Sequence, residues 1–138
     1  MGRKIINSPI ERFTRLLFSK VIERLAVVMS EEGLSFSQVA ALHIIDREGS
    51  VNINDISNKL NLSMSATSRM IDELVKKEFI DRKEDQDNRR AKILSLTTGG
   101  EKFMNNLSVE RVKTIEQSAD LVADKVSVKI IENRKRVK

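Results

Sequence analysis

The chain has no cysteine, no tryptophan and no tyrosine, and one proline and one histidine among 138 residues. Without cysteine, disulfides, thiolate zinc sites, iron–sulfur clusters and thiol redox sensing are excluded. A reducing compartment fits that lack. One proline and five glycines leave few turn formers, so helices should be long. Aromatics are 4% of the chain and all are phenylalanine, so a core must come from Leu, Ile, Val and Met. No run reaches the roughly 18 apolar residues of a membrane span. No apolar segment follows the basic Met1-Gly2-Arg3-Lys4, so that start does not read as a signal peptide. A cytoplasmic protein with no membrane partner is expected.

Catalytic chemistry is equally thin. His43 has no partner in the sequence that would make it a base or a metal ligand, and reads as structural or surface, with a place in a ligand cavity as the other option. There is no phosphate-cradling glycine loop and no spaced carboxylate pair in an apolar setting. Asp85-Gln86-Asp87-Asn88 invites a calcium loop, but Arg90 and Leu96 stand where that loop needs Gly and Glu. No enzyme, metal or cofactor is expected. Met64 and Met70 read as packing residues rather than redox sensors.

What is present is a 40% apolar, 33% charged chain with net charge +5. The excess positive charge is not in the middle: residues 35–98 carry ten Lys/Arg and ten Asp/Glu. Any case for nucleic acid must therefore rest on the position of particular charges rather than on the total.

Three zones follow from the pattern. Residues 1–34 hold one helix, with Ser8 as N-cap, Pro9 at the first position, and apolar residues at Phe13, Leu16, Leu17, Val21, Leu25, Val28 and Met29 before Gly33. Residues 35–98 are punctuated: a helix Ser35–Glu48 closed by Gly49-Ser50, an N-cap signal at Asn52 with Asp55, a short helix to Leu60, Asn61 at a left-handed end, and a helix from the Ser63 cap to about Lys77. Two helices across a turn of about three residues describe a helix-turn-helix. Strand-like runs at 79–83 and 92–96 flank the polar stretch 84–90, which predicts a β-hairpin wing. Residues 99–138 begin behind a Thr97 or Thr98 cap with a helix carrying Phe103, Met104, Leu107, Val112 and Ile115. A further helix carries Leu121, Val122, Val126, Ile130 and Ile131, and a basic tail runs from Arg134. The expected fold class is mostly α (α+β), a winged helix-turn-helix with N- and C-terminal dimerisation helices in one compact domain.

On a 3.6-residue period, Thr67, Met70, Ile71 and Leu74 form the packing stripe of the 63–77 helix. The opposite face shows Ser65, Ala66, Ser68, Arg69 and Asp72. Small residues allow close approach to base edges, and Arg69 can reach a guanine edge or a phosphate. Ser63 and Ser65, with the first-turn N–H groups, suit a phosphate oxygen. At the hairpin tip, Arg89 and Arg90 suit a narrow minor groove, and Asp85 and Asp87 could orient them. A solvated helix face and a solvated charged turn remain the plain alternatives.

The runs Leu60–Ser63, Arg69–Leu74, Phe79–Arg82, Asp85–Ala91 and Leu94–Gly100 together resemble the MarR (multiple antibiotic resistance regulator) family, over residues 10 to about 130 and most closely over 55–100. The resemblance implies a homodimeric transcriptional regulator, of repressor type, on a pseudo-palindromic operator in double-stranded DNA. It implies that Ser65, Ala66 and Arg69 enter the major groove and Arg90 the minor groove, and that a small anionic or phenolic ligand releases the DNA. Two positions depart from the pattern. Asn88 replaces an Asp that helps hold the wing Arg, and Glu78 replaces a Gly after the recognition helix.

The apolar stripes at 10–30 and 101–131 exceed what the middle zone can cover, so pairing with a second copy is expected, with folding back on the same chain as the alternative. A winged helix can also serve as a protein-docking module without operator binding.

Overall fold

The computed structural model describes residues 8–136. The first helix, α1 (Pro9–Glu32), starts as predicted: Ser8 Oγ accepts the Glu11 N–H at 3.1 Å. At its other end Gly33 takes φ +61° and the Leu34 N–H reaches back to the Met29 carbonyl at 2.8 Å. The second helix, α2 (Phe36–Glu48), opens with a reciprocal box in which Ser35 Oγ accepts from the Gln38 N–H and Gln38 Oε1 accepts from the Ser35 N–H. Gly49, at φ +78°, closes it.

A two-residue strand, β1 (Val51–Asn52), then leads into α3 (Ile53–Leu60). Asn52 and Asp55 satisfy each other's backbone N–H groups, as their spacing predicts. Asn61 is left-handed at φ 52°. The buried Ser57 pins the turn: its hydroxyl donates to the Leu62 carbonyl at 2.7 Å, and its own carbonyl accepts the Leu62 N–H at 3.0 Å. That turn delivers Ser63 as N-cap of α4 (Met64–Lys76).

Strands β2 (Ile80–Glu84) and β3 (Lys92–Leu96) form the predicted hairpin, in register from Ile80 opposite Leu96 to Glu84 opposite Lys92. The sheet order is β1-β3-β2, all antiparallel. β1 was not expected; it adds Val51 opposite Leu94 and so buries one more apolar residue against the hairpin. Leu42, Ile45, Ile56, Ile71, Leu74, Ile80 and Leu94 are fully buried and form the core between α2, α3, α4 and the sheet.

The last helix corrects the expectation of two C-terminal helices: α5 (Thr98–Arg136) is one helix of 39 residues. Nothing between Glu101 and Arg136 is Gly or Pro, so no residue in that stretch forces an end. Of the two threonines, Thr97 is the cap, its Oγ1 accepting the Gly100 N–H at 3.0 Å. The apolar positions read at 121–131 and the basic tail lie outside the described side chains.

The chain divides into two compact units. One comprises residues 29–108, with α2, α3, α4, the sheet and the start of α5. The other comprises the rest of α1 and of α5. In that second unit Arg24 Nε lies 3.3 Å from Glu110 Oε2. Its α1 positions Phe13, Leu16, Leu17, Val21, Leu25 and Val28 are only half-buried, and Ile10, Phe18, Ile22, Val27, Val109, Val112 and Ile115 are exposed.

Candidate nucleic-acid interface

The packing stripe of α4 is as predicted: Thr67, Met70, Ile71 and Leu74 are all buried. Thr67 is tolerated there because its hydroxyl donates to the Ser63 carbonyl at 2.8 Å, one turn back. With that stripe inward, Ser65 and Arg69 are exposed, and Ala66 and Ser68 are half-exposed beside them.

The two serines at the start of α4 are engaged with the helix itself. Ser63 Oγ accepts the Ala66 N–H at 3.2 Å and lies 3.2 Å from Ser65 Oγ. The cap leaves the N–H groups of Met64 and Ser65 as first-turn donors at the positive end of the helix. Met64 departs from its expected packing role: it is 46% exposed at the first helical position, whereas Met70 is buried.

The acidic residues of α4 are each hydrogen-bonded by a neighbour, Asp72 by a charged group and Glu73 by a neutral one. Asp72 Oδ1 accepts from Arg82 Nη2 at 2.6 Å, which ties the outer face of α4 to strand β2 of the wing. Glu73 Oε2 accepts from Gln38 Nε2 at 2.8 Å. Neither pairing has a sequence signal, since the partners are 10 and 35 residues apart and no periodic pattern connects them. Arg69 pairs with no acidic group among the described residues.

The helix end answers the question raised by Glu78. That residue is left-handed, at φ 60°. Its N–H reaches the Val75 carbonyl at 2.9 Å and the Phe79 N–H reaches the Leu74 carbonyl at 3.1 Å, the paired bonds of a left-handed helix cap. The Thr97 hydroxyl donates to the Glu78 carbonyl, and the Thr97 N–H donates to the Phe79 carbonyl at 3.1 Å. The start of α5 is thus laced to the end of α4. Gly100 sits so close that a Cβ there would collide with the Phe79 carbonyl oxygen.

At the wing, Lys92 Nζ bridges to Glu84 Oε1 at 2.9 Å across the strand pair. The tip is a tight turn: the Asp85 N–H donates to the Ala91 carbonyl at 3.0 Å and the Ala91 N–H to the Asn88 carbonyl at 2.8 Å. Asn88 holds backbone rather than a side chain, its Oδ1 accepting the Arg90 N–H at 3.2 Å. Asp85 likewise turns inward, accepting the Asp87 N–H at 2.9 Å. Neither orients the arginines through an ion pair. Arg89 and Arg90 are exposed, with no acidic partner among the described residues.

Comparison with known proteins agrees with this architecture. Residues 34–92 match the MarR family. The chain is 29% identical over 96 residues to the HTH-type transcriptional repressor MdtR of Bacillus subtilis, covering 70% of this chain and 62% of that protein. It is 24% identical over 127 residues to the uncharacterized HTH-type regulator YfiV of the same organism, covering 89% of this chain and 79% of that one. Among solved structures, the MepR–DNA complex of S. aureus shares the fold with a TM-score of 0.73 at 17% identity, over 89% of this chain and 93% of that one. The chain therefore has the winged-helix fold of MarR-family transcriptional regulators.

Proposed function

We propose that this chain, whose residues 34–92 form a MarR-family winged helix, is a sequence-specific repressor that binds double-stranded DNA as a homodimer on a pseudo-palindromic operator. Three exposed arginines carry this reading. Arg69 on α4 and Arg89 and Arg90 on the wing have no acidic partner among the described residues, while the acidic groups of α4 are occupied by Arg82 and Gln38. The stretch 35–98, with ten basic and ten acidic residues, thereby leaves these three cations unpaired on its helix and wing. That arrangement suits a major groove for α4 and a minor groove for the wing.

The roles follow by chemistry. Ser65, Ala66 and Ser68 are small enough to let α4 approach base edges. Arg69 has the reach and the forked donors to read guanine O6 and N7. Ser63 and Ser65, with the first-turn N–H groups, meet a phosphate. Arg89 and Arg90 enter or flank the minor groove. The solved MepR–DNA complex, which shares this fold, supports DNA as the partner, and the relative MdtR, a repressor, supports the direction of regulation.

The exposed apolar residues of the second unit support a second copy of the chain as a further partner. Phe18 at 65% and Ile10 at 63% exposure lie among five more of the same kind, too many to leave in water. A two-fold pair would present two α4 helices to one duplex, about 34–36 Å apart for adjacent half-sites.

The test is selection of bound fragments from the host genome, followed by titration of a selected site. Arg69→Ala is expected to cost about 1–3 kcal/mol and to relax preference at one base position. Equal loss on selected and random DNA would show contact with phosphate alone. No enrichment of any site in the selection would contradict the proposed function.

A further inference from the structure

Arg69 and Glu73 lie one helical turn apart on α4, the spacing at which side chains of opposite charge pair across a helix surface. They do not pair here. Glu73 Oε2 instead accepts from Gln38 Nε2 at 2.8 Å, and no ion pair joins Glu73 to Arg69. Gln38 is 4% exposed and cannot swing away without breaking a second bond, since its Oε1 accepts the Ser35 N–H at 2.7 Å at the start of α2. Gln38, Glu73 and Arg69 line one open cavity of about 280 Å³ between α2 and α4. The carboxylate is therefore near its natural helical partner and held by another group.

Building on the DNA-binding reading above, we infer that Gln38 is a positioning residue for recognition: by holding the Glu73 carboxylate on α2, it keeps the Arg69 guanidinium available to DNA. The physical basis is competition for one acceptor. A carboxylate free to rotate toward Arg69 would engage the guanidinium donors and place a negative charge beside the incoming phosphates. A neutral amide donor removes that option without adding a charge. The amide is fixed in place because the same side chain closes the capping box of α2.

The experiment compares Gln38→Met, which keeps the length but loses the donor, with the double variant Gln38→Met/Glu73→Gln. In the free protein, NMR of the Arg69 Nε–Hε group is expected to show slowed solvent exchange in Gln38→Met and wild-type exchange in the double variant. Affinity for a selected DNA site should fall about 1.5- to twofold in Gln38→Met, as expected for a surface pair of this spacing, and return in the double variant. Gln38→Asn, which shortens the donor's reach, gives the same comparison if methionine at this buried position prevents folding. Unchanged Arg69 exchange in the single variant overturns the inference. So does an affinity loss that persists once the Glu73 charge is removed, because that marks a packing defect. A wild-type protein that binds no DNA contradicts the regulator reading, while the NMR comparison still decides the role of Gln38.

Discussion

Glu78 holds a backbone conformation that glycine adopts at less cost. At φ 60° its Cβ crowds the following carbonyl, a strain of about 1–2 kcal/mol for an L-residue. Replacing it with glycine also frees the unfolded chain, which offsets part of the relief. Glu78→Gly is therefore expected to raise stability by about 0.5–1 kcal/mol, seen as a higher urea midpoint with an unchanged slope. Gly100 is the opposite case. A methyl there meets the Phe79 carbonyl, a backbone group that the Thr97 N–H also holds. Gly100→Ala is expected to cost about 1–3 kcal/mol in the same assay, since the helix start must move. A neutral result at Gly100 would mean that α5 does not approach α4 so closely. Single residues were legible in the sequence where the chemistry is local. The Ser63 cap and the left-handed Asn61 follow from a few neighbouring residues, whereas Glu78 stood out only through the resemblance, as the position where the family has Gly. The Gln38–Glu73 and Arg82–Asp72 pairs were not legible, because each depends on how separate elements pack.

Elements were read best where a cap marks their start. Asn52 with Asp55, Ser63 and Thr97 each sit where the helix begins, and the alternation from 79 onward gave the wing. β1 escaped because two residues carry no period, and Asn52 already had a role as the cap of α3. The division of α5 into two helices was wrong because a run without Gly or Pro gives no reason to stop. The wing was placed correctly, but its internal bonding was not. Asn88, which stands where the family has an Asp that helps hold the wing Arg, closes the turn by accepting the Arg90 N–H. Asn88→Ala is therefore expected to speed hydrogen exchange at the Arg90 amide, leave core amides unchanged, and weaken DNA binding through a looser wing. Exchange at wild-type rates would show that the backbone turn alone holds the tip.

At the scale of the molecule, the chain separates its tasks. The 29–108 unit carries the polar face and the unpaired arginines, and the other unit carries the exposed apolar side chains. Phe18→Glu places a charge in that apolar face and is expected to shift the sedimentation coefficient from dimer to monomer at micromolar concentration. DNA affinity should fall with it, because one duplex would no longer engage two linked α4 helices. A wild-type chain that sediments as a monomer would remove the dimer from the account. The outward placement of the proposed DNA-binding residues was legible from sequence because they lie on one helix and one hairpin whose faces follow from periodicity. The reason Arg69 stays available was not, since it needs α2.

The most direct test is a salt titration of wild-type, Arg69→Ala and Arg90→Ala protein on one selected operator fragment. If α4 and the wing meet the duplex, the logarithm of the binding constant falls linearly and steeply with the logarithm of salt, and removing a phosphate-contacting arginine makes the slope shallower by about 0.9. Wild-type binding that ignores salt, or both variants binding as tightly as wild type, would contradict the claim that this surface holds DNA.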